Sequence, residues 1–476
     1  MRASWLERLW DSVADRGREL LHLPAGDTRP DDLGELCHRL LAGSGEASGT
    51  ALAREVRRGI ELLDHAGRSA FLEVLAAEFR PDREAILAAA ETYRQQPDDL
   101  DAYLRLSAVV ESPLQELLRR INRAPHATTA LVMLRAHLLD LLRERPHLRV
   151  IDADFQHLFY SWFNRGFLEL RRIDWDCAAS VLEKLIAYEA VHAIRDWSDL
   201  RRRLADDRRC FCFFHPALPN EPLIFVEVAL VRGLPAAAAP LLDRNAPLLD
   251  PRKADAAIFY SINNCQDGLR GISFGNFLIK QVAAELAVEF PGIEHYATLS
   301  PLPRFRAVLE SLDDPRNPIG RARANALLAD DADKLQAASG QEEPVAALLA
   351  LLTDDPTVQR ELLEPPLTRL ALAYLARARR HDSVYDPVAA FHLANGARLE
   401  RINPFADLSP ERMRGSFGVM VNYLYDPERV ESHHEQFINE GVVAVARPLQ
   451  KELRRIDAAW SNVAEGEPMR LMTHQP

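Results

Sequence analysis

The chain is poor in the residues and patterns that usually announce a chemistry. Five cysteines occur in 476 residues, Cys37, Cys177, Cys210, Cys212 and Cys265, and no two form a C-x-x-C pair. That argues against a disulfide framework and against zinc-ribbon spacing, and suits buried thiols in a reducing cytoplasm. Cys265 has no base identified near it, so a thiolate nucleophile is not expected there. No apolar run is long enough to span a bilayer. The formal net charge of −12 argues against a general nucleic-acid binder, although a local basic pocket could still take a small anion. The first residues, MRASWLERLWDSVADRGREL, mix Arg with Glu and Asp at helical spacing, unlike a secretory signal or an acid-poor transit peptide. The last residues, Thr473 to Pro476, are not a peroxisomal address. A cytoplasmic location with no membrane partner is the expectation.

What is present reads as an ordinary globular composition, 47% hydrophobic and 27% charged, in a chain long enough for two domains. Residues 1–158 read as helices throughout. Leu33, Leu36, Leu40 and Leu41 form one apolar stripe and Leu72, Val74, Leu75 and Phe79 another. Ser112-Pro113-Leu114-Gln115 is a helix start, with Ser as N-cap, Pro at the first helical position and Gln three on. Asp99 and Asp152 are weaker caps. No repeat of fixed period and no His/Cys/carboxylate cluster appears in this segment, so a scaffold or association role is expected.

A helix is expected over about Cys177–Ala193, after which the texture changes. Arg209–His215 and Pro222–Val231 read as two strands joined by a hairpin loop at Pro216–Glu221. Ala256–Ile262 is a further β-prone run, followed by the glycine-rich Gly268-Leu-Arg-Gly-Ile-Ser-Phe-Gly-Asn276. From Phe277, apolar residues Leu278, Val282, Leu286 and Phe290 recur every four, until Pro291-Gly292 stops the helix. His295–Leu299 is the next strand and runs into Ser300-Pro301. A glycine loop at a helix start brings backbone close to a ligand and turns free N–H groups toward an anion, most often a pyrophosphate. The spacing matches neither a nucleotide-hydrolase P-loop nor a dinucleotide fingerprint.

Leu312–Arg380 returns to alanine- and leucine-rich helices, broken by Asp313-Asp314-Pro315, Gly340 and Pro365-Pro366. Then Asn395-Gly396 falls between Ala389–Ala394 and Ala397–Ile402, which predicts a β-hairpin with His392 projecting from its first strand. Val419–Tyr425 is another strand, with Tyr423 and Tyr425 on one face. Mixed strands and helices from about 159 onward indicate an α/β or α+β domain.

The glycine loop, Arg270-Gly271-Ile272-Ser273-Phe274-Gly275-Asn276-Phe277-Leu278, looks like the R-G-x-G/A-x-G-x-x-L loop by which GNAT-superfamily acetyltransferases hold the pyrophosphate of coenzyme A, with Ser273 in place of the middle glycine. Several segments together resemble the malonyl-CoA decarboxylase family. They are Tyr188–His192 with Trp197–Arg202, Ile258–Ile262, the glycine loop, Leu299–Pro303, Phe391–Gly396 and Val421–Tyr425, in family order over most of residues 155–450. The resemblance implies an α+β, two-domain fold: an all-helical N-terminal domain, 1–158, then a GNAT-like mixed-sheet catalytic domain, 159–476, with a helical insertion. It implies a carboxy-lyase of fatty acid metabolism that converts malonyl-CoA to acetyl-CoA and CO2, with no cofactor beyond the CoA of the substrate and no metal. By the same resemblance Ser300 and His392 are the catalytic pair. Ser261, Tyr425 and Arg270 to Asn276 are substrate-binding. Homo-oligomerisation through the helical domain is expected from the length of that helical segment, not from the resemblance. Where this chain has Ser273, some family members have a glutamate thought to support the histidine, so the group that orients His392 is open at this stage.

The residue types fit such a reaction. Cleavage of the C–C bond sends two electrons into the thioester, and preorganised donors at its oxygen would stabilise the enolate. Hydroxyls of Ser300, Ser261 and Tyr425 can hold the departing carboxylate without the ground-state stabilisation of a salt bridge. The enolate carbon then needs a proton, and an imidazole of ordinary pKa can donate one near neutrality. Two other readings share the loop: a GNAT-type acyltransferase, for which no acceptor site is evident, and a non-catalytic CoA-binding protein. A serine hydrolase is less favoured, because Ser300 lacks the G-x-S-x-G elbow and no Asp partners the histidine.

Overall fold

A computed structural model of the chain describes residues 30–43, 45–272, 278–353, 359–380 and 383–466. The expected site residues Ser273, Phe274, Gly275 and Asn276 lie outside them.

The first layer is helical: α1 (Pro30–Ala42), α2 (Glu46–Leu62), α3 (His65–Glu78), α4 (Arg83–Gln95), α5 (Leu100–Val110), α6 (Pro113–Ile121), α7 (Ala127–Leu141) and α8 (Arg149–Trp162). Leu33, Leu40, Leu72, Leu75 and Phe79 are buried as their spacing requires. Each such side chain contributes about 1.5–3 kcal/mol of transfer free energy. Ser112 caps α6 by accepting the Leu114 N–H, with Pro113 at the first helical position. Gln115 reaches across to Asp154 rather than back to the cap. Asp99 caps α5, whereas Asp152 lies inside α8 and pairs with Arg135 instead of capping.

The second layer is a mixed sheet of β1 (Glu169–Ile173), β2 (Arg208–Phe214), β3 (Ile224–Val231), β4 (Ala256–Asn264), β5 (His295–Thr298), β6 (Ser300–Pro301), β9 (Arg398–Asn403) and β10 (Met420–Tyr425); a separate small ribbon pairs β7 (Arg379–Arg380) with β8 (Ser383–Val384). The main sheet runs β1-β2-β3-β4-β5-β10-β6, with β9 on the flank of β10. β2 and β3 form the expected hairpin, and β4 and β5 are parallel, joined through α11 (Leu278–Glu289). This is the strand, glycine loop, helix, strand order read from the sequence. The predicted helix at Cys177–Ala193 is shorter: α9 spans Ala179–Tyr188 and stops because the Glu189 carboxylate takes the N–H groups of Val191 and His192. The helix α10 (Trp197–Arg203) follows.

The helical insertion comprises α13 (Arg321–Leu328), α14 (Ala332–Ser339), α15 (Pro344–Thr353) and α16 (Arg360–Arg377), following a short α12 (Phe305–Glu310). Pro365 and Pro366 do not break the chain there; α16 runs through both.

The expected hairpin around His392 is not formed. Residues Pro387–Ala394 are a helix, α17, and only the second half of the predicted hairpin is a strand, β9. Asp386 caps α17 by accepting the N–H groups of Val388 and Ala389, with Pro387 at the first position. Gly396 takes positive φ, +82°, as the residue that ends the helix rather than as the second residue of a hairpin turn. A Cβ there would stand 1.9 Å from the Val430 carbonyl, so glycine is required on two counts. Asn-Gly satisfies either geometry, and the Asp-Pro start upstream decides between them.

Candidate active site

The β4–β5 ladder ends at Phe259 and Thr298. Opposite β3 the register shifts between Glu227 and Val228, leaving Tyr260 as the extra residue of a bulge. Beyond it β4 continues along β3, while Ser300 turns to pair with Val421 of β10. The divergence holds a cavity of about 300 Å³, lined by Ser261, Ile262 and Asn264 on one side, Ser300 on the other, and Phe391 and His392 of α17.

Ser300 and His392, 92 residues apart, meet across this cavity with Oγ to Nε2 at 3.0 Å. The Tyr425 hydroxyl is 2.7 Å from Nδ1. Burial raises the Tyr425 pKa well above the ordinary value, so the phenol keeps its proton, and with the Ser300 proton given to Thr298 the Tyr425 hydroxyl donates to Nδ1. That assignment places the imidazole proton on Nε2, directed at Ser300 Oγ. The Ser300 hydroxyl in turn donates to Thr298 Oγ1 at 2.9 Å, and Thr298 also accepts the Tyr423 N–H at 3.3 Å. The Tyr423 ring stacks on the imidazole with centroids 4.5 Å apart. His392 is thus held on both nitrogens and on one face, and the group that orients it is Tyr425. No carboxylate stands at Nδ1, so the arrangement is not that of a serine-hydrolase triad.

Two expectations change. His392 is 2% exposed and has no charged partner, and burial pushes its pKa down to about 3. The free imidazole is therefore neutral at pH 7, not poised near neutrality. Tyr425 stands behind the ring rather than in the cavity, on the edge of a second cavity between α11 and α18 (Val430–Glu440).

Ser261 does line the cavity, but its hydroxyl proton is engaged: it donates to Glu189 Oε2 at 2.6 Å and accepts from Asn263 Nδ2 at 2.6 Å. Glu189 takes four donors in all, adding Asn263 Nδ2 at 2.9 Å and the N–H groups of Val191 and His192 at 2.7 Å each. Of the loop, Arg270 is exposed, Gly271 has φ of +82° and Ile272 is buried in the core. These three residues lie together at the start of the loop, next to the helical layer.

Sequence reasoning missed Thr298 and Glu189 as members of the site. Thr298 was findable from period-two alternation, which puts it on the same strand face as Ser300. Glu189 had no local signal beyond its place in a matching segment.

A model of the malonyl-CoA decarboxylase C-terminal domain matches residues 166–463, and one of the N-terminal domain of the same enzyme matches residues 79–163. The chain belongs to the malonyl-CoA decarboxylase family. The mitochondrial malonyl-CoA decarboxylase of Anser anser anser is 34% identical over 78% of this chain and 77% of its own. The crystal structure of malonyl-CoA decarboxylase from Rhodopseudomonas palustris is similar with a TM-score of 0.79 and 45% identity, over 89% of this chain and 99% of that one. That from Agrobacterium vitis gives 0.76 and 42%, over 90% and 99%. Family membership thus covers both layers of the fold.

Proposed function

We propose that the cavity between β4 and Ser300 is where this chain, a carboxy-lyase, converts malonyl-CoA to acetyl-CoA and CO2. The observation that carries the reading is the contact of Ser300 Oγ with His392 Nε2 at 3.0 Å on the cavity wall. The malonyl carboxylate enters beside a neutral, buried imidazole and brings a negative charge into a low-dielectric space. An adjacent anion favours the charged form of histidine, so as the substrate binds His392 takes up a proton from solvent at Nδ1, and the Tyr425 hydroxyl turns from donor to acceptor. Loss of CO2 leaves the enolate, and the C–H bond of acetyl-CoA forms with the proton of His392, which returns to its neutral state. Ser300 fixes the imidazole relative to the reacting carbon.

The main-chain edge of β4 beyond Phe259, where its pairing with β5 has ended, supplies donors to the enolate oxygen. One such donor is worth ~3 kcal/mol in other enzymes. Ser261, whose hydroxyl donates to Glu189, offers an oxygen lone pair and so faces a substrate N–H rather than the carboxylate. Arg270 to Asn276 take the pyrophosphate of CoA. The chain divides into a helical domain and a catalytic domain; the expected boundary at 158/159 falls inside α8, so the helical domain is taken to close with that helix at Trp162. No cofactor or metal is assigned a step.

Leu87, Leu100, Tyr103 and Leu104 are exposed on α4 and α5, an apolar face that supports homo-oligomerisation through the helical domain. Among the described residues no helix is long and apolar enough to cross a membrane, and all five cysteines are unpaired. The free thiols support a reducing, cytoplasmic location. Neither nucleic acid nor membrane is assigned as a partner.

The test is to incubate metal-chelated protein with malonyl-CoA and follow products by mass spectrometry. Acetyl-CoA and CO2 over many turnovers are expected. Malonyl-CoA that stays intact while bound would leave a CoA-binding protein instead.

A further inference from the structure

The strongest unexplained feature outside the cavity is a buried cation of the helical layer aimed at the catalytic layer. Arg135 of α7 is 1% exposed. Its Nε donates to Asp152 of α8 at 2.8 Å, which balances the charge. Its Nη1 donates instead to main chain of the other layer, to the carbonyls of Gly268 at 2.6 Å and Arg270 at 3.1 Å. The Tyr160 hydroxyl of α8 donates to the next carbonyl, that of Gly271, at 2.9 Å. Gly268 itself sits so close to α7 that a Cβ would be 1.9 Å from the Val132 carbonyl.

Three carbonyls at the opening of the glycine loop are thus held by side chains of the helical layer. In a trans peptide the C=O and the following N–H point in opposite directions. Holding the Arg270 carbonyl against α7 therefore turns the Gly271 N–H away from the helical layer. The Arg270 side chain is left exposed, its guanidinium 4.0 Å from Asp140 of α7 and 3.7 Å from Asp267. A buried guanidinium is costly to desolvate, and a hydrophobic contact would hold two layers together at lower cost. What a fork of N–H donors adds is a defined orientation of the peptide planes it grips.

We propose that Arg135 and Tyr160 are positioning residues that set the opening of the CoA-pyrophosphate loop, so that the helical domain controls affinity for the nucleotide end of the substrate. The proposal rests on the assignment of Arg270 to Asn276 to the pyrophosphate. It makes one chemical distinction: residues that act through this loop matter for malonyl-CoA and not for malonyl-pantetheine, which lacks the pyrophosphate and nucleotide.

The test compares steady-state kinetics of the full chain on both substrates. Tyr160→Phe removes a single surface hydrogen bond and leaves the fold intact. Arg135→Lys keeps the buried charge and loses the fork. For Arg135→Lys the KM for malonyl-CoA is expected to rise ~10-fold, and for Tyr160→Phe ~3-fold, with kcat nearly constant, the pattern of lost uniform binding. On malonyl-pantetheine kcat/KM of both variants stays within about 2-fold of the parent chain. Arg270→Ala serves as the control for the loop itself, and is expected to lose affinity for malonyl-CoA alone. If Arg270→Ala discriminates between the substrates while Arg135→Lys and Tyr160→Phe do not, the positioning role is wrong and the loop assignment stands. If Arg270→Ala fails to discriminate, the loop assignment falls and the proposal with it.

Discussion

The two walls of the cavity are built on opposite principles. The Glu189 wall holds a carboxylate whose two oxygens accept four donors, two from backbone and two from Ser261 and Asn263. The His392 wall has no charged group in contact with the imidazole: Tyr425, His392, Ser300 and Thr298 form a chain of neutral hydrogen bonds behind a stacked Tyr423 ring. A carboxylate that grips four donors fixes its surroundings. A neutral imidazole deprived of water and of counter-charge responds to whatever charge arrives. The first wall holds a shape, and the second is left open to a change of charge.

The largest expected effect lies on the second wall. His392→Asn should lower kcat by ~10³-fold or more and Ser300→Ala by ~10²-fold, with KM little changed, as for loss of general acid–base catalysis. Steady-state kinetics with malonyl-CoA decides this, and a His392→Asn variant that keeps the parent turnover ends the assignment of His392 as proton donor.

Next comes the first wall. Glu189→Gln turns an amide N–H toward groups that are themselves donors, and should cost about 1–3 kcal/mol of stability. Its kcat should fall by only ~10-fold, through misplacement of Ser261 and the Val191 segment. A loss as large as that of His392→Asn, at unchanged unfolding midpoint, would show that both walls are chemical and would dissolve the contrast.

A further test sharpens the contrast through pH. His392 is held to about 3 when folded, against roughly 6.5 for an unperturbed histidine. Between those values the unfolded chain binds a proton that the folded chain does not, so this contribution to stability is complete above roughly pH 6.5 and is lost as pH falls toward 3. Urea unfolding midpoints followed from pH 7 to 4 should therefore fall less steeply for His392→Asn than for the parent chain. The difference approaches ~1.4 kcal/mol per pH unit for one proton. Equal slopes would mean that the imidazole is not held neutral.

How legible the site was depended on distance in the chain. The glycine loop follows directly from the order strand, loop, helix, strand, which the structure keeps around β4, α11 and β5, whereas Ser300 was singled out by the family resemblance. His392 was identified on the wrong element, a strand of a hairpin, because Asn395-Gly396 satisfies a type I′ turn and a helix end equally well. The deciding signal, Asp386-Pro387, lies upstream, and Asp386 is further fixed by the Tyr374 hydroxyl of the insertion at 3.0 Å. That contact also shows the insertion to be part of the site's support, which alanine- and leucine-rich composition could not reveal.

The sequence by itself determined the helical first layer, the β2–β3 hairpin and the β4–α11–β5 unit, because apolar periodicity, caps and turn residues act over a few positions. It also carried enough in-order segments to identify the family. Tertiary structure alone decided that Tyr425 orients His392, that Glu189 engages the Ser261 proton and that Arg135 reaches the loop carbonyls. It decided, too, that His392 is neutral. Each of these depends on groups 33 to 133 residues apart and on the exclusion of water between them, and neither separation in space nor burial is written in local spacing.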